Sequence, residues 1–313
     1  MRCFVIINPR AGAGLDDPDF SATIRGLFRR AGIDATFADD GADIAAQIDE
    51  ARASGLPIVA VVGGDGTVMA AAQAFVGTET TLAIIPAGTM NVLARELGVP
   101  QARDIAVALI ASGEARAIDV GTVNGRIFLV NSVLGAPSRL ARRREGFRGR
   151  SSGRFYARLI RAGLRALKRY PAMGVRIETE GEERPMRTRA LAVVVNDYAE
   201  GFGKVLTRAS LDGGQLVIYA LKPITPWRLI GLALSMVMGR WRNDQRLLRL
   251  PVQSARITTR RKRVRVMNDG ETVLITPPLD YAIRPKALKV LVPHGTGFRS
   301  TSAPATAPIP AAS

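Results

Sequence analysis

One cysteine and one histidine among 313 residues set the first limits on this chain. Cys3 alone can form neither an intrachain disulfide nor a cysteine-based zinc site, which points to a reducing cytoplasm. His294 would have to serve any serine triad or histidine metal site, and in Pro293-His294-Gly295 it reads as a surface residue. Aromatics make up 5% of the chain and no RNA- or DNA-reading motif occurs, so specific nucleic-acid binding is not expected. No Gly-x-x-x-x-Gly-Lys-Ser/Thr stretch is present, which excludes a P-loop. Gly12-Ala13-Gly14 runs into Leu15-Asp16-Asp17, so the third glycine of a dinucleotide fingerprint is missing. Long apolar runs are missing too. The run after Met1-Arg2 covers about five residues and ends at Asn8-Pro9, short of a signal peptide. The stretch from Trp227 to Met238 contains Arg228 and is closed by Arg240 and Arg242. It falls short of the roughly 20 residues of a bilayer span and reads as a buried or interfacial helix. Acids are the last shortage: 27 Asp and Glu against 44 Lys and Arg give a net charge of +17, which suits anionic partners.

Glycine is plentiful where it carries chemistry. The apolar run from Ile58 to Val62 delivers Gly63-Gly64-Asp65-Gly66-Thr67 into a helix-like stretch. Glycines let backbone N–H groups approach an anion, the helix N-terminus adds its positive dipole end, and Asp65 could hold a phosphate-bridging metal. Alone, the segment could equally be a tight strand-to-helix turn. Two neighbours change that reading: Asn8-Pro9-Arg10-Ala11-Gly12 follows an apolar run that begins at Cys3, and Gly88-Thr89-Met90-Asn91 follows one that begins at Leu82. Three strand-loop-helix units thus put glycine and polar residues at carboxyl ends of strands, where open α/β sheets bind ligands.

At these residues the chain resembles the diacylglycerol kinase catalytic domain family, which includes bacterial lipid kinases and relatives of sphingosine kinase. Asn8-Pro9-x-x-Gly12, Gly63 to Thr67, Gly88-Thr89-x-Asn91 with Ala94-Arg95, and Asp269-Gly270-Glu271 occur in the family's order, over about residues 1–297. The Gly-Gly-Asp-Gly-Thr loop alone is shared with NAD kinases and phosphofructokinases. The resemblance implies an ATP- and Mg²⁺-dependent lipid kinase acting on a hydroxyl of diacylglycerol or a related membrane lipid. Asn8, Pro9, Gly12, Gly63, Gly64, Gly66, Thr67, Gly88, Thr89 and Asn91 would hold ATP. It implies Asp269 as the base that takes the hydroxyl proton, with Glu271 helping to hold that site. Asp65 competes for the base role but suits Mg²⁺ and water better. Considered alone, Asn268-Asp269-Gly270 is also a strong hairpin-turn signal. The chain departs from the family at Val92, where many members have Asp, and at Leu211-Asp212-Gly213-Gly214, where the family's second Asp is replaced by Gly213. Several bacterial members use that Asp for a structural magnesium, and Asp212 is the substitute this chain offers. Some arginines between Arg142 and Arg154 are expected to reach ATP phosphates. The alternatives are an NAD kinase-like soluble kinase and a lipid-binding module without turnover.

Alternating strands (3–7, 33–37, 56–62, 81–85) and helices (18–31, 42–54, 67–76, 89–97) predict a doubly wound α/β nucleotide-binding domain over residues 1–117. Asp17-Pro18 reads as a helix start, and Gly32, Gly55 and Gly98 as helix ends. From 118 to 298 the period changes to two, predicting an antiparallel β-rich, sandwich-like substrate domain with strands at 119–123, 127–133, 174–179, 188–195, 215–221, 255–266 and 272–275. A last strand near 287–297 is expected to return to the first domain. Residues 299–313, rich in Ser, Ala, Thr and Pro, read as a disordered tail.

Residues 139–169 hold 12 Lys or Arg and one acid, Glu145. As a helix, 153–169 would carry Arg154, Arg158, Arg161, Arg165, Lys168 and Arg169 on one face with an apolar face opposite. Such a face is either solvated surface or a dock for an anionic membrane. The expected location is therefore cytoplasmic and peripheral, at the inner face of the membrane. A homodimer is left open.

Overall fold

The computed structural model describes residues 2–135 apart from 13, 16 and 40, residues 172–199, and residues 208–295 apart from 224, 226, 227, 229, 230, 233, 236, 237 and 243. The basic segment 139–169 and the tail 299–313 therefore lie outside the described residues.

The first half alternates as its apolar runs dictate: β1 (Arg2–Ile7), α1 (Phe20–Arg30), β2 (Asp34–Phe37), α2 (Ile44–Ser54), β3 (Ile58–Gly63), α3 (Asp65–Phe75), β4 (Thr81–Pro86), α4 (Val92–Glu96) and α5 (Arg103–Ser112). The strands pair in parallel in the order β2-β1-β3-β4. All six residues of β3 and of β4 are buried, because helices cover both faces of a parallel sheet and no alternation is needed. Gly55 and Gly98 take left-handed backbone just past their helices, as expected. The start of α1 differs from expectation. It begins at Phe20, and Asp17 Oδ1 instead accepts the backbone N–H of Asp19 at 3.0 Å. Helix α5 was not expected, since neither a side-chain cap nor a turn signal marks its start at Arg103.

The second half is antiparallel: β5 (Glu114–Val123), β6 (Arg126–Phe128), β7 (Asn131–Gly135), β8 (Met173–Thr179), β9 (Glu182–Thr188), β10 (Ala190–Val195), β11 (Leu216–Leu221), β12 (Leu247–Val252), β13 (Ser254–Thr259), β14 (Val264–Asn268), β15 (Glu271–Ile275) and β16 (Leu279–Val292). Six of these form a sheet ordered β12-β11-β10-β7-β14-β15. The others extend the parallel sheet to ten strands through β16, which pairs parallel with β4 and antiparallel with β5 and β13. The single strand expected over 255–266 is two strands in different sheets, because the chain crosses between them at Arg260-Arg261-Lys262-Arg263. The strand expected over 127–133 is likewise broken between Phe128 and Asn131. Strands β9 and β12 were missed. Each is charged or proline-bearing (Pro185, Pro251) and lies at a sheet edge, where proline's missing donor does least harm.

Two large apolar cores stand beside a smaller cluster of Val194, Tyr198, Val217, Tyr219 and Trp241. One surrounds the parallel strands, from Val5 and Ile6 through Val61 to Ile85. The other fills the space between the two sheets with Leu134, Ile177, Val193, Ile218, Ile257, Val266 and Tyr281. In the stretch from Trp227 to Met238, Arg228, Gly231, Leu232, Leu234 and Ser235 are helical, with Leu232 buried and Leu234 and Met238 exposed. Among the described residues no helix is long and apolar enough to cross a membrane.

Candidate active site

The order β2-β1-β3-β4 reverses the chain's direction of travel between β1 and β3, and a crevice opens there beyond the carboxyl ends of the strands. Asn8 leaves β1 at this point and Gly64 leaves β3. The Asn8 backbone N–H donates to Val62 O at 2.9 Å, and its Nδ2 donates to Thr67 Oγ1 at 2.8 Å. Asn8 Oδ1 accepts from the N–H of Arg10 at 3.0 Å, which turns the loop towards Gly12. Behind it, buried Gln47 of α2 bonds both the N–H and the C=O of Ile7, at 2.9 and 3.1 Å, and so fixes the end of β1.

Close approach leaves little room for side chains here. A Cβ on Gly64 would lie 3.1 Å from the Cα of Gly88, and one on Gly12 would lie 3.1 Å from Thr89 Oγ1. On Gly63 it would lie 2.6 Å from the Thr67 side chain, and on Gly66 3.0 Å from Glu271 Oε1. The three loops thus meet backbone to backbone, with the late carboxylate of Glu271 over the first turn of α3. Asn8, Ala11, Gly12, Ile44, Gly64, Gly66, Thr67, Ala70 and Gly88 line a cleft of about 410 Å³, within the range of small-molecule sites. Pro9 contributes through its backbone, which packs against Gly14. Asn91 takes left-handed backbone (φ 48°) ahead of α4, and its Nδ2 bonds Gly88 O at 3.0 Å and Gln101 at 3.1 Å.

The carboxylates have distinct surroundings. Asp65 Oδ1 accepts the N–H of Val92 at 2.6 Å, joining the second loop to α4. Asp269 sits in left-handed backbone (φ 46°) at the β14–β15 turn. Its carboxylate accepts three backbone N–H groups, from Leu129 at 2.5 Å, Val130 at 2.9 Å and Asn131 at 2.8 Å. Desolvation pushes its pKa up to about 6, while those bonds and the charge of Arg208 pull the other way. Three of roughly four lone-pair positions on the Asp269 carboxylate are thus taken by backbone donors. Glu271, two residues on, is exposed and faces Gly66.

The fit to a nucleotide and its metal follows. Backbone at Gly12, Gly64, Gly66 and Gly88 without side chains, opening at a helix N-terminus, suits phosphate oxygens. Asp65 suits a divalent ion shared with those phosphates. No cluster of three or more His, Cys, Asp or Glu among the described residues could hold a metal by itself. Among the described residues Asp212 belongs to no cluster of three His, Cys, Asp or Glu that could hold a structural metal. Its Oδ1 accepts the Ser210 hydroxyl at 2.6 Å, and a Cβ on Gly213 would already lie 2.8 Å from Asn196 Oδ1. The loop is instead organised by Asp119, fully buried, whose oxygens accept from Asn196 Nδ2 at 3.0 Å, Gly214 N at 2.6 Å and Lys286 N at 2.8 Å. The arginines between Arg142 and Arg154 lie outside the described residues. Gln47, Asp119, Glu96 and Arg208 were missed because each acts through partners 40 or more residues away in the chain, which leaves no local spacing to read.

Comparison with known proteins agrees with this geometry. Residues 2–123 match the diacylglycerol kinase catalytic domain, and residues 135–292 match the YegS C-terminal NAD kinase beta sandwich-like domain. The chain belongs to the diacylglycerol kinase-like family of lipid kinases. It is 27% identical to a Bacillus subtilis protein named diacylglycerol kinase, over 86% of this chain and 89% of that one. It is 29% identical to a Pseudomonas aeruginosa protein named probable lipid kinase YegS-like, over 80% and 81%. A crystal structure of a Bacillus anthracis diacylglycerol kinase shares the fold, with a TM-score of 0.66 at 19% identity over 92% of this chain and 96% of that one.

Proposed function

We propose that this lipid kinase transfers the γ-phosphoryl group of ATP to a hydroxyl of a membrane lipid, diacylglycerol or a close relative. The observation that carries the reading is Glu271 Oε1 lying 3.0 Å from the Cβ position of Gly66, which puts an open carboxylate against the phosphate loop. Phosphoryl transfer asks mainly for positioning and charge neutralisation. Backbone N–H groups around Gly12, Gly64 and Gly88 bind the phosphate oxygens, and Thr67 and Asn8 hold those loops in register. The acceptor oxygen bonds to phosphorus as the bond to the ADP oxygen breaks. In this reading Glu271 takes the hydroxyl proton and Asp269 fixes the strand and turn that aim it. A magnesium ion bound with the nucleotide near Asp65 would neutralise phosphate charge.

An anionic bilayer supplies the acceptor in this reading, supported by the +17 charge and by exposed Arg260, Arg261, Lys262 and Arg263 at the β13–β14 turn. The protein is expected to sediment with phosphatidylglycerol vesicles and to be released by salt, as charge screening requires. The test of function is incubation with ³²P-labelled ATP and vesicles of diacylglycerol or phosphatidylglycerol, with NAD in parallel. Label in the organic phase is expected. Labelled NADP without labelled lipid would instead establish an NAD kinase, and nucleotide-independent lipid binding with no transfer would establish a binding module.

A further inference from the structure

Between the nucleotide loops and the acceptor carboxylates runs a polar path whose middle members, Glu96 and Arg208, have no part in the mechanism above. Helix α4 is only five residues long. At its N-terminal end Val92 N–H bonds Asp65, and at its C-terminal end Glu96 pairs with Arg208 of the second half. Arg208 is 2% exposed and Glu96 15%. The guanidinium reaches Glu96 Oε2 through Nε at 3.0 Å and also through Nη2, while Nη1 donates to Leu129 O at 2.7 Å. Leu129 in turn donates its N–H to Asp269. The path runs from Asp65 through helix α4 to Arg208, and from there through Leu129 to Asp269.

A buried ion pair is a poor device for stability alone, since apolar side chains of the same shape commonly serve as well or better. What apolar side chains cannot do is bind a carboxylate and a carbonyl at once in a fixed plane, which the forked guanidinium does.

We propose that Arg208 is a positioning residue, which sets the acceptor turn against the nucleotide loops by holding Glu96 of α4 and the Leu129 carbonyl in one rigid fork. This rests on the lipid kinase reading above. Arg208 does not touch the reacting atoms.

The experiment compares full-length wild type, Arg208→Lys, Arg208→Met, Glu96→Gln and the double variant Arg208→Met with Glu96→Leu. The measurements are Tm, kcat and KM for Mg-ATP, kcat for diacylglycerol vesicles, and the pH profile. The double variant is expected to recover the Tm lost by Arg208→Met while kcat stays about tenfold or more below wild type. Arg208→Lys, which keeps the charge but not the fork, should lose kcat while KM for Mg-ATP stays within about threefold. In Arg208→Met the acid limb of the pH profile should move to higher pH, because a charge that lowers the Asp269 pKa is gone. A double variant or Arg208→Lys with wild-type Tm and kcat within about threefold would overturn the proposal and leave a structural ion pair. An inactive wild type defeats the lipid kinase reading and this proposal with it. An active wild type with unaffected variants defeats this proposal alone.

Discussion

Two turns beside the cleft carry carboxylates, and they are built in opposite ways. Gly64-Asp65, at the junction of β3 with α3, makes one side-chain bond to Val92 and otherwise packs glycine backbone on the backbone of Gly88. Asp269-Gly270-Glu271, between β14 and β15, spends one carboxylate on three backbone N–H groups and leaves the other open. The first turn works by omitting side chains, so a ligand can lie against the main chain. The second works by anchoring one side chain, so that its neighbour is aimed. In the parallel half the backbone itself lines the cleft; in the antiparallel half it is the scaffold.

The largest test of this contrast lies within the second turn. Glu271→Gln is expected to lower kcat by about 10²–10⁴, the usual worth of a general base, with stability changed by less than about 0.5 kcal/mol. Asp269→Asn should cost activity and fold together. Its amide must turn an N–H₂ towards a backbone donor, leaving an unmet N–H at about 1–3 kcal/mol. Steady-state rates and chemical denaturation of both variants check the pair. If Asp269→Asn is inactive at wild-type stability while Glu271→Gln is active, the roles are reversed.

Against the first turn, Gly88→Ala should raise KM for Mg-ATP while changing kcat less, since its Cβ would clash with the Cα of Gly64 and force the two loops apart. The overpacking is worth about 1–3 kcal/mol, or roughly 5- to 150-fold in KM. Nucleotide titration of the variant measures it.

A smaller effect tests the anchor by pH. Asp269 is pushed up to about 6 by desolvation, above the unfolded value of about 3.9. Its ionised form is the better acceptor for three donors, so kcat/KM should fall as pH drops through about 6. Stability should move the other way: this group's contribution is fully present below about pH 4 and is lost as pH rises through about 6. Denaturation at pH 4.5 and 7, compared between wild type and Asp269→Asn, isolates the term. The smallest effect is expected at Asp212. EDTA without nucleotide should leave Tm unchanged, and Asp212→Asn should shift stability by no more than about 1 kcal/mol, the loss of one hydroxyl bond. A Tm that falls in EDTA and is restored by Mg²⁺ would place a metal in the Asp119 loop after all.

The first turn was legible in the sequence because glycines next to an apolar run have few uses, and their positions along the chain match their positions in space. The second was half legible. Asp269-Gly270-Glu271 stood out, but which carboxylate stays open depends on Leu129, Val130 and Asn131, about 140 residues earlier. Period-two patterns located the central strands and failed at Thr259 to Val264, where the pattern continues while the chain changes sheets. Charge obscured β9, and proline obscured both edges. The ion pair of Arg208 with Glu96 spans 112 positions and was not readable at all.

Strand β16 makes the sequence boundary between the halves different from the folding boundary. A fragment ending near residue 123 would retain β4 without the neighbour that covers its outer edge, and β5 without the strand that carries nine of its paired positions. The exposed edge would present Leu82, Ala83 and Ile84, all buried in the whole chain, as a template for pairing with other molecules. The first half is therefore expected to aggregate when expressed alone and to remain monodisperse when the last 14 strand residues are supplied in trans or joined by a linker. During synthesis the same dependence delays completion of the parallel sheet until β16 has been made, leaving β4 with an open edge until then.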